Sequence, residues 1–469
     1  MSTHILKVFV PIFNLIFCHS LLAQSLENQK FPGFRPIWFE LNQKYEYGDK
    51  YSGALGTYTA KHRPLAIYSP EVNKTFFVYG GTKDYDQKHL LCMIGVYDNS
   101  TGEVAKPFVV SDKMGVDDPH DNPSILIDEE GFIWVFVSGR GRKRPGFKYK
   151  SLVPYDINGF IKLSAEEMTY PQPLNTQLGI FNFFTKYTGL RQLYYEKSDN
   201  GQTWTDDKLL AAIPDRLGEK SGHYQVSAQY KGQKVGTFFN RHPNGQVDKR
   251  TDLYYMESND FGNTWQTVDQ LTLNLPLTDI NSPARVMNYA VAKKNIYLKD
   301  MVYDKKGNPI CLYLKSNGHQ PGPNSAPYQW EVTLWTGTKW STHEIITSDH
   351  NYDMGSLWVN DNLWELVVPS GLAPQKWGVG GEIEIWTSTD KGKIWTKEKA
   401  VTNSSDFNHS YIRKVIDGKS PFIFFWADGN PHEFGKSQLY FGDLNGDVFR
   451  LPYIMNDDFI KPQRINFKN

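Results

Sequence analysis

Ser198-Asp-Asn-Gly-Gln-Thr-Trp204 is one of three similar stretches, the others being Ser258-Asn-Asp-Phe-Gly-Asn-Thr-Trp265 and Ser388-Thr-Asp-Lys-Gly-Lys-Ile-Trp395. Each opens on Ser, carries Asp or Asn before a Gly, and closes on Trp. The short Asp or Asn side chain can accept N–H groups of a turn, Gly allows a positive φ, and Trp fills the apolar layer beneath. The pattern predicts a turn between two strands, repeated along the chain.

A second repeated feature is a polar or aromatic residue beside Pro, Ser or Gly that opens an apolar run. It occurs at His62, His120, Tyr170, His223, Asn281, Tyr352 and His409. The spacing, about 50–70 residues, suits four short strands with turns and loops. It predicts an all-β, single-domain, seven-bladed β-propeller over residues 25–469, with each start opening an innermost strand at one face. Two stacked β-sandwiches are the alternative, but they would not explain seven similarly spaced starts.

The composition agrees with many strands and excludes some functions. Aromatic residues make up 14% of the 469 residues, and Lys+Arg equals Asp+Glu at 51 each. A chain without a basic excess is not expected to bind nucleic acid, because such binding needs cations that displace counterions. Helix signal is weak, and Leu163–Met168 is the best short candidate.

The N-terminus predicts export. Lys7 precedes an apolar run from Val8 to Phe17, and Ala23 offers a cleavage point. We interpret residues 1–24 as a signal peptide, since the run is too short to span a bilayer. No other stretch approaches 18 apolar residues, so we expect no membrane span and a periplasmic or secreted protein.

The ring would bring distant side chains into one funnel. These are His62, His120, Tyr170, His223, Tyr352 and His409, with His242 and His350 at the rim. Imidazole exchanges protons near neutral pH, whereas Arg140 and Arg191 offer forks that fit a carboxylate, a sulfate or a uronate. We therefore expect an acidic carbohydrate as partner. We expect no cofactor, and whether clustered histidines hold a structural cation is left open.

The Asp, Gly and Trp turns resemble the Asp boxes of sialidases, although the sialidase arginine triad is not evident. Nearly the whole chain resembles the BNR-4 type propeller proteins. The stretches that carry this likeness are YSGALGTYTAKHRPLAIYSPEVNKTFFVYGG (51–81), DDPHDNPSILIDEEGFIWVFVSGRGR (117–142), FNRHPNGQVDKRTDLYYMESNDFG (239–262) and TSDHNYDMGSL (347–357). They look closest to the α-L-rhamnosidases of glycoside hydrolase family 145, and are similar to the ulvan lyases of polysaccharide lyase families 24 and 25.

The rhamnosidase likeness implies hydrolysis of L-rhamnose-α-1,4-D-glucuronate linkages, with His62 as the central residue, and this is our main expectation. The lyase likeness implies two histidines about twenty residues apart, then a Tyr and an Arg. His120 matches the first histidine and Arg191 the arginine, while Arg140 stands at the second histidine position. The candidates for the tyrosine are Tyr170, Tyr187 and Tyr224, of which Tyr170 is preferred.

Six further residues are predicted to bind substrate. They are Arg140, His223, His242, His350, Tyr352 and His409. A lyase that breaks the chain by β-elimination is the second hypothesis, and the third is a glycan-binding propeller without catalysis.

Overall fold

The computed structural model describes residues 25–55, 61–187, 190–215 and 219–467, so the predicted signal peptide lies outside the described residues. The N-terminal strands are β1 (Gln29–Lys30), β2 (Phe39–Glu40), β3 (Lys44–Tyr45), β4 (Gly48–Asp49) and β5 (Ser52–Gly53). They form two short hairpin-like pairs, β2 with β5 and β3 with β4.

The first large unit is an antiparallel meander. Its strands are β6 (Ala66–Ser69), β7 (Lys74–Gly81), β8 (Leu91–Asp98), β9 (Glu103–Ala105) and β10 (Phe108–Asp112). Strands β6, β7, β8 and β10 pair in that order, and β9 pairs with the end of β8. Strand β1 pairs antiparallel with β10, so the N-terminal segment lies at the outer edge of this sheet.

Five separate four-stranded antiparallel sheets follow in chain order. The first two comprise β11 (Pro123–Ile127), β12 (Ile133–Val137), β13 (Gly146–Ser151) and β14 (Phe160–Glu166), then β15 (Thr169–Thr176), β16 (Gly179–Lys186), β17 (Gln192–Ser198) and β18 (Lys208–Ala211). The third comprises β19 (Gln225–Tyr230), β20 (Lys234–Arg241), β21 (Thr251–Ser258) and β22 (Arg285–Met287). The last two comprise β23 (Asn295–Tyr303), β24 (Pro309–Ser316), β25 (Tyr328–Trp335) and β26 (Trp340–Ser348), then β27 (Ser356–Val359), β28 (Trp364–Val368), β29 (Glu384–Ser388) and β30 (Thr396–Ala400).

The C-terminal meander joins the first one. Its strands are β31 (Asn408–Lys419), β32 (Phe422–Gly429), β33 (Leu439–Gly442), β34 (Val448–Arg450), β35 (Phe459–Ile460) and β36 (Gln463–Ile465). Strand β31 runs parallel to β6, with Ile416 opposite Ile67, and β35 pairs with β9. The two ends of the chain therefore share one sheet.

Helix is scarce in the described residues, which confirms the all-β prediction. It consists of three 3₁₀ turns, Pro119–Asp121, Pro243–Gly245 and Pro323–Ser325. The short helix predicted at Leu163–Met168 is wrong, because β14 runs through it and pairs with β13. Apolar side chains between neighbouring sheets form the core, and buried aromatic residues dominate it.

The three Ser-to-Trp stretches form the predicted turns. In each, the serine hydroxyl accepts the glycine N–H, at 2.9 Å for Gly201, 2.8 Å for Gly262 and 3.0 Å for Gly392. These glycines have φ values of +68°, +79° and +79°, a region that side chains with a Cβ rarely adopt. The carboxylate of Asp260 accepts the N–H of Thr264, as the pattern predicts.

Six of the seven predicted starts lie at or just before the first strand of a meander. The exception is Asn281, which precedes β22, the fourth strand of its sheet. The first strand of the next sheet begins instead at Asn295. A long segment separates β21 from β22. The run that begins at Asn281 comes at the end of this segment and therefore resembles the opening of a first strand.

Candidate active site

One face of the molecule collects the candidate residues because of strand direction. In an antiparallel meander, the start of the first strand, the end of the second and the start of the third lie on the same side. His120 precedes β11, Arg140 follows β12, Tyr187 follows β16 and Arg191 precedes β17. The loops of neighbouring sheets thus place these four residues together.

His120 is held by a carboxylate. It lies in the 3₁₀ turn Pro119–Asp121, and its Nδ1 contacts Oδ1 of Asp118, the residue that caps the turn. The other oxygen, Oδ2, accepts hydrogen bonds from Nη1 of Arg140 and Nη2 of Arg144, each at 2.8 Å. Asp118 therefore fixes the imidazole and two guanidinium groups at one point.

The protonation states follow from burial and charge. Burial lowers the pKa of His120 to about 4, although the Asp118 carboxylate favours the charged imidazole. Burial alone would raise the pKa of Asp118, but His120 and Arg144 outweigh it and hold that pKa below its usual range. Asp118 is thus ionised and can only accept, so the neutral His120 carries its hydrogen on Nδ1 and a lone pair on Nε2.

Tyr187 lies between two guanidinium groups. The Cζ atoms of Arg140 and Arg191 are 4.9 Å and 4.8 Å from its ring centroid. Its ring is perpendicular to that of His120, with centroids 6.2 Å apart, and its hydroxyl is 3.4 Å from the hydroxyl of Tyr170. Tyr187 is half-buried whereas Tyr170 is fully buried, so Tyr187 is the tyrosine that a substrate can reach.

Arg191 is presented by an unusual backbone. Leu190 and Arg191 both have positive φ, at 110° and 52°. The carbonyl oxygen of Arg191 accepts the N–H of His223 at 3.1 Å, which ties this loop to the next sheet. The sharp turn directs the side chain back over Tyr187.

A second group of aromatic and cationic side chains continues from Tyr170. The ring of Tyr224 is 5.6 Å from Tyr170 and 4.6 Å from His242. The buried Arg250 lies over Tyr224 at 4.9 Å, and its Nη2 donates to the hydroxyl of Tyr352 at 3.2 Å. The predicted residues His242 and Tyr352 are therefore linked to the His120 group through rings.

His62 lies beneath this surface. It has no exposed area, its Nε2 is 3.1 Å from the carbonyl oxygen of His120, and its ring stands edge-on to Tyr170 at 5.3 Å. Burial lowers its pKa to about 3. His62 supports the two residues above it and presents no surface to a sugar.

Of three other predicted histidines, His223 and His409 have rings that bond to residues outside the group, whereas His350 lies beside Tyr352, with ring centroids 5.5 Å apart. In His223, Nδ1 lies 2.9 Å from the carbonyl oxygen of Asn240 and Nε2 accepts the N–H of Ile213 at 3.0 Å. The Nδ1 of His409 accepts the indole N–H of Trp426 at 2.8 Å, in the apolar layer of another sheet. His350 is buried, and its Nδ1 accepts the N–H of Tyr352 at 3.1 Å.

The expected convergence of His120, His223 and His409 on one centre is therefore wrong. The rings of His223 and His409 point into the layers between sheets, where His223 packs edge-on against Phe239 and His409 against Trp426. The residue that follows His223, Tyr224, faces the group instead.

Two important residues were only partly visible in the sequence. Asp118 stands two positions before His120 and next to Pro119, a pattern typical of a side chain that caps a turn, and this could have revealed its role. Arg250 follows His242 by eight residues, but nothing in the sequence indicates that it packs against three tyrosine rings, Tyr224, Tyr297 and Tyr352.

The question of a structural cation among the predicted histidines stays open. Among the described residues, Glu166, Glu196 and Asp207 bring ligand atoms close enough together to share an ion. Lys148 already pairs with Glu166 at 2.8 Å and with Glu196 at 2.7 Å. None of the three belongs to the site around His120.

Comparison with known proteins places the chain in a family. Residues 85–348 match the family described as "BNR repeat-containing family member". The chain belongs to the BNR repeat-containing family. The match runs from the first meander to the end of β26 and includes Asp118, His120 and all the residues around Tyr187.

Curated relatives are similar over most of the chain. An ulvan lyase of Alteromonas sp. (strain LOR) is 23% identical over 399 residues, which cover 76% of this chain and 79% of that protein. The protein "Ulvan Lyase-PL25" of Pseudoalteromonas sp. (strain PLSV) is also 23% identical, over 75% of this chain and 79% of its own length.

Solved structures give the same fold. A PL25 ulvan lyase has a TM-score of 0.69 at 19% identity, covering 88% of this chain and 96% of its own. A second structure of a PL25 ulvan lyase, bound to -[GlcA(1-4)Rha3S]-, has a TM-score of 0.69 at 18% identity and the same coverage of both chains.

The expectation of an α-L-rhamnosidase is wrong. Relatives over three quarters of the chain are named ulvan lyases, and the closeness to glycoside hydrolase family 145 is not shown by these comparisons. The geometry agrees, because His62, the expected hydrolytic residue, is fully buried. No helix among the described residues is long and apolar enough to cross a bilayer.

Proposed function

We propose that this protein is a polysaccharide lyase that cleaves an acidic, uronate-containing polysaccharide of the ulvan type. The observation that carries the proposal is the arrangement of His120 on Asp118 beside Tyr187, which lies between two arginines. Such a site combines an uncharged proton acceptor, a hydroxyl that can exchange protons, and fixed positive charge. The likeness to ulvan lyases supports the same activity.

Arginine would bind the uronate carboxylate. Arg191 lies over Tyr187, and a guanidinium offers a planar fork that fits a carboxylate with two parallel hydrogen bonds. Neutralising that carboxylate withdraws charge from C5 and stabilises the carbanion-like transition state, which is where fixed charge accelerates a reaction most. Arg140, anchored on Asp118, adds positive charge at the position where the lyase likeness implies a second histidine.

The elimination needs one base and one acid. The lone pair on Nε2 of His120 takes the C5 proton, the C4–O4 bond breaks as the C4=C5 double bond forms, and the departing O4 takes a proton from the hydroxyl of Tyr187. The two guanidinium groups beside Tyr187 stabilise the negative charge that develops on its oxygen in the transition state as the proton leaves. No water is consumed and the scheme uses no cofactor.

A product assay tests this proposal. The protein is incubated with ulvan, and the ultraviolet absorbance of unsaturated uronate is followed together with product masses. A rise in absorbance, with fragments that have gained no water, is the expected result. Fragments that carry one added water would contradict elimination, and binding without any fragment would indicate a glycan-binding protein instead.

We also propose that the seven meanders form a closed seven-bladed β-propeller. Its support is a cycle of contacts: the first strands β6, β11, β15, β19, β23, β27 and β31 each contact the next, and β31 contacts β6. A low-resolution solution scattering profile that fits a compact ring-shaped domain is expected, and a two-lobed profile would contradict it.

Export of the protein after removal of residues 1–24 remains part of the proposal. The mass of the mature chain recovered from periplasm or medium tests it, and a mature protein that still carries residues 1–24 would contradict it.

A further inference from the structure

A buried lysine lies at the base of the loop that carries Arg140 and Arg144, and the mechanism above does not use it. Lys113 follows β10 directly, and only 3% of its side chain is exposed. Its N–H donates to the carbonyl oxygen of Leu90 at 3.3 Å, and its own carbonyl oxygen accepts the N–H of Val116 at 3.3 Å. The backbone of this lysine is therefore fixed in the first meander.

The ammonium group of Lys113 contacts both ends of the loop between β12 and β13. Its Nζ donates to the carbonyl oxygen of Ser138, just after β12, at 3.4 Å, and to that of Pro145, just before β13, at 3.1 Å. The Nζ also lies 4.7 Å from the ring centroid of Phe147. One charged group from the first meander thus joins the two ends of loop 138–145, which belongs to the next sheet.

The same ammonium contacts a carboxylate beside His120. Asp121 follows His120 in the chain, its side chain has no exposed area, and its Oδ2 lies 2.9 Å from Nζ of Lys113. Its Oδ1 lies 3.0 Å from Nη2 of Arg144, the same atom that donates to Asp118. Alternating charges therefore run from Lys113 through both carboxylates to the contact with His120.

Stability alone does not account for this buried ion pair. Taking a lysine and an aspartate out of water costs free energy, and replacing such a pair by apolar side chains of similar volume is often neutral for stability. Apolar side chains, however, cannot bind two carbonyl groups and a carboxylate at fixed positions, whereas an ammonium has three donors for that purpose.

We propose that Lys113 is a positioning residue for the elimination, an inference that rests on the proposed lyase function. By holding both ends of loop 138–145, Lys113 keeps the guanidinium groups of Arg140 and Arg144 on Asp118, which in turn fixes the imidazole of His120. Lys113 itself is buried under the loop and touches no substrate. Its effect is on geometry, and small displacements of reacting groups lower rates steeply.

The variant Lys113→Met tests this role, because it removes the ammonium and keeps an unbranched side chain against Phe147. Amide hydrogens of segment 138–145 should exchange about 10-fold faster, since the backbone hydrogen bonds of Gly139, Arg140 and Arg144 open more often. On ulvan, kcat should fall by about 10–10²-fold whereas KM changes by less than about 3-fold, as expected when alignment is lost and binding is kept.

Lys148→Met is the matched control. Lys148 is as deeply buried as Lys113, with 2% of its side chain exposed, but it pairs with Glu166 of β14 at 2.8 Å and Glu196 of β17 at 2.7 Å. Its loss should destabilise the protein comparably and leave both kcat and the exchange of segment 138–145 unchanged. Should Lys113→Met fail to fold, its combination with Asp121→Asn removes both charges of the pair, which should restore folding, and the same two measurements apply.

Unchanged exchange of segment 138–145 in Lys113→Met would overturn the proposal, and so would a kcat equal to that of Lys148→Met. An unaltered protein that does not cleave ulvan would instead contradict the proposed lyase function. The exchange measurement needs no catalysis, so it would still show whether Lys113 holds the loop.

Discussion

His120 and His409 make an instructive pair. Each lies at the start of a meander, each is buried, and burial lowers the pKa of both, to about 4 and about 3. His120, however, lies in a 3₁₀ turn ahead of β11 and contacts Asp118, whereas His409 lies within β31 and bonds to Trp426. The same position in a repeat thus carries the proposed proton acceptor in one sheet and a structural hydrogen bond in another.

The largest expected effect is the difference in activity between substitutions at His120 and at His409. His120→Gln should lower kcat by roughly 10²–10⁴-fold, the usual contribution of a general base, with little change in Tm. His409→Gln should leave kcat within a few-fold, because its ring contacts no residue of the site around Tyr187. The rate of absorbance increase on ulvan measures both, and equal losses in the two variants would contradict the assignment.

Removal of the carboxylate tests what distinguishes His120 from His409. Asp118→Asn should lower kcat by roughly 10²–10³-fold, because an amide no longer selects the tautomer with the hydrogen on Nδ1. Asp118 opposes the lowering of the His120 pKa, so its loss should also lower that pKa further.

The dependence of kcat/KM on pH measures this change in the pKa of His120. The neutral imidazole is the active form, so activity of the unaltered protein should fall as pH drops through about 4, and in Asp118→Asn this fall should move to lower pH. An acid limb that moves to higher pH would contradict the role given to Asp118. Glu344, an exposed residue of β26, pairs with Lys315 of β24 in a sheet other than the one that His120 precedes, and it provides a control as Glu344→Gln.

The sequence predicts much of the fold because the deciding signals are local. The turns at Ser198, Ser258 and Ser388 contain every residue that forms them, so their structure can be predicted without the rest of the chain. Asn281 shows the limit: it opens an apolar run in a long loop, and only pairing with distant strands reveals that β23 begins at Asn295 instead.

The site is less predictable, because it depends on where each side chain points. The repeat positions, the residue chemistry and the family likeness all single out His120, Arg140 and Arg191, and the structure brings them together around Tyr187. His223 precedes β19 and packs its ring against Phe239 in the core, whereas the next residue, Tyr224, faces the site. A β-bulge or a capped turn, such as the turn that Asp118 caps, also changes which side chains point toward the site.

Two tyrosines within the site allow a finer comparison. Tyr187→Phe should lower kcat by about 10²-fold with a smaller change in KM, because it removes the proton that the leaving O4 would take. Tyr170→Phe should have a clearly smaller effect, since its hydroxyl is buried and lies 3.4 Å from the hydroxyl of Tyr187, which the substrate can reach. A greater loss in Tyr170→Phe would reverse the two roles.

The smallest expected effect concerns stability and returns to His409. His409→Phe leaves the indole N–H of Trp426 and the hydroxyl of Ser405 without their ring partner, so the free energy of unfolding should fall by about 1–3 kcal/mol at pH 7.5. Urea unfolding measures this, and kcat should change little.

The size of that loss should depend on pH in a defined direction. The pKa of His409 in the folded protein, about 3, lies below its ordinary value of 6.5, so folding favours the neutral ring. Its contribution is fully present above pH 6.5 and is lost as pH falls toward 3. The difference between the two proteins should therefore shrink by about 1.4 kcal/mol per pH unit below 6.5. A difference that stays constant from pH 7.5 to pH 5 would mean that folding leaves the pKa of His409 unshifted.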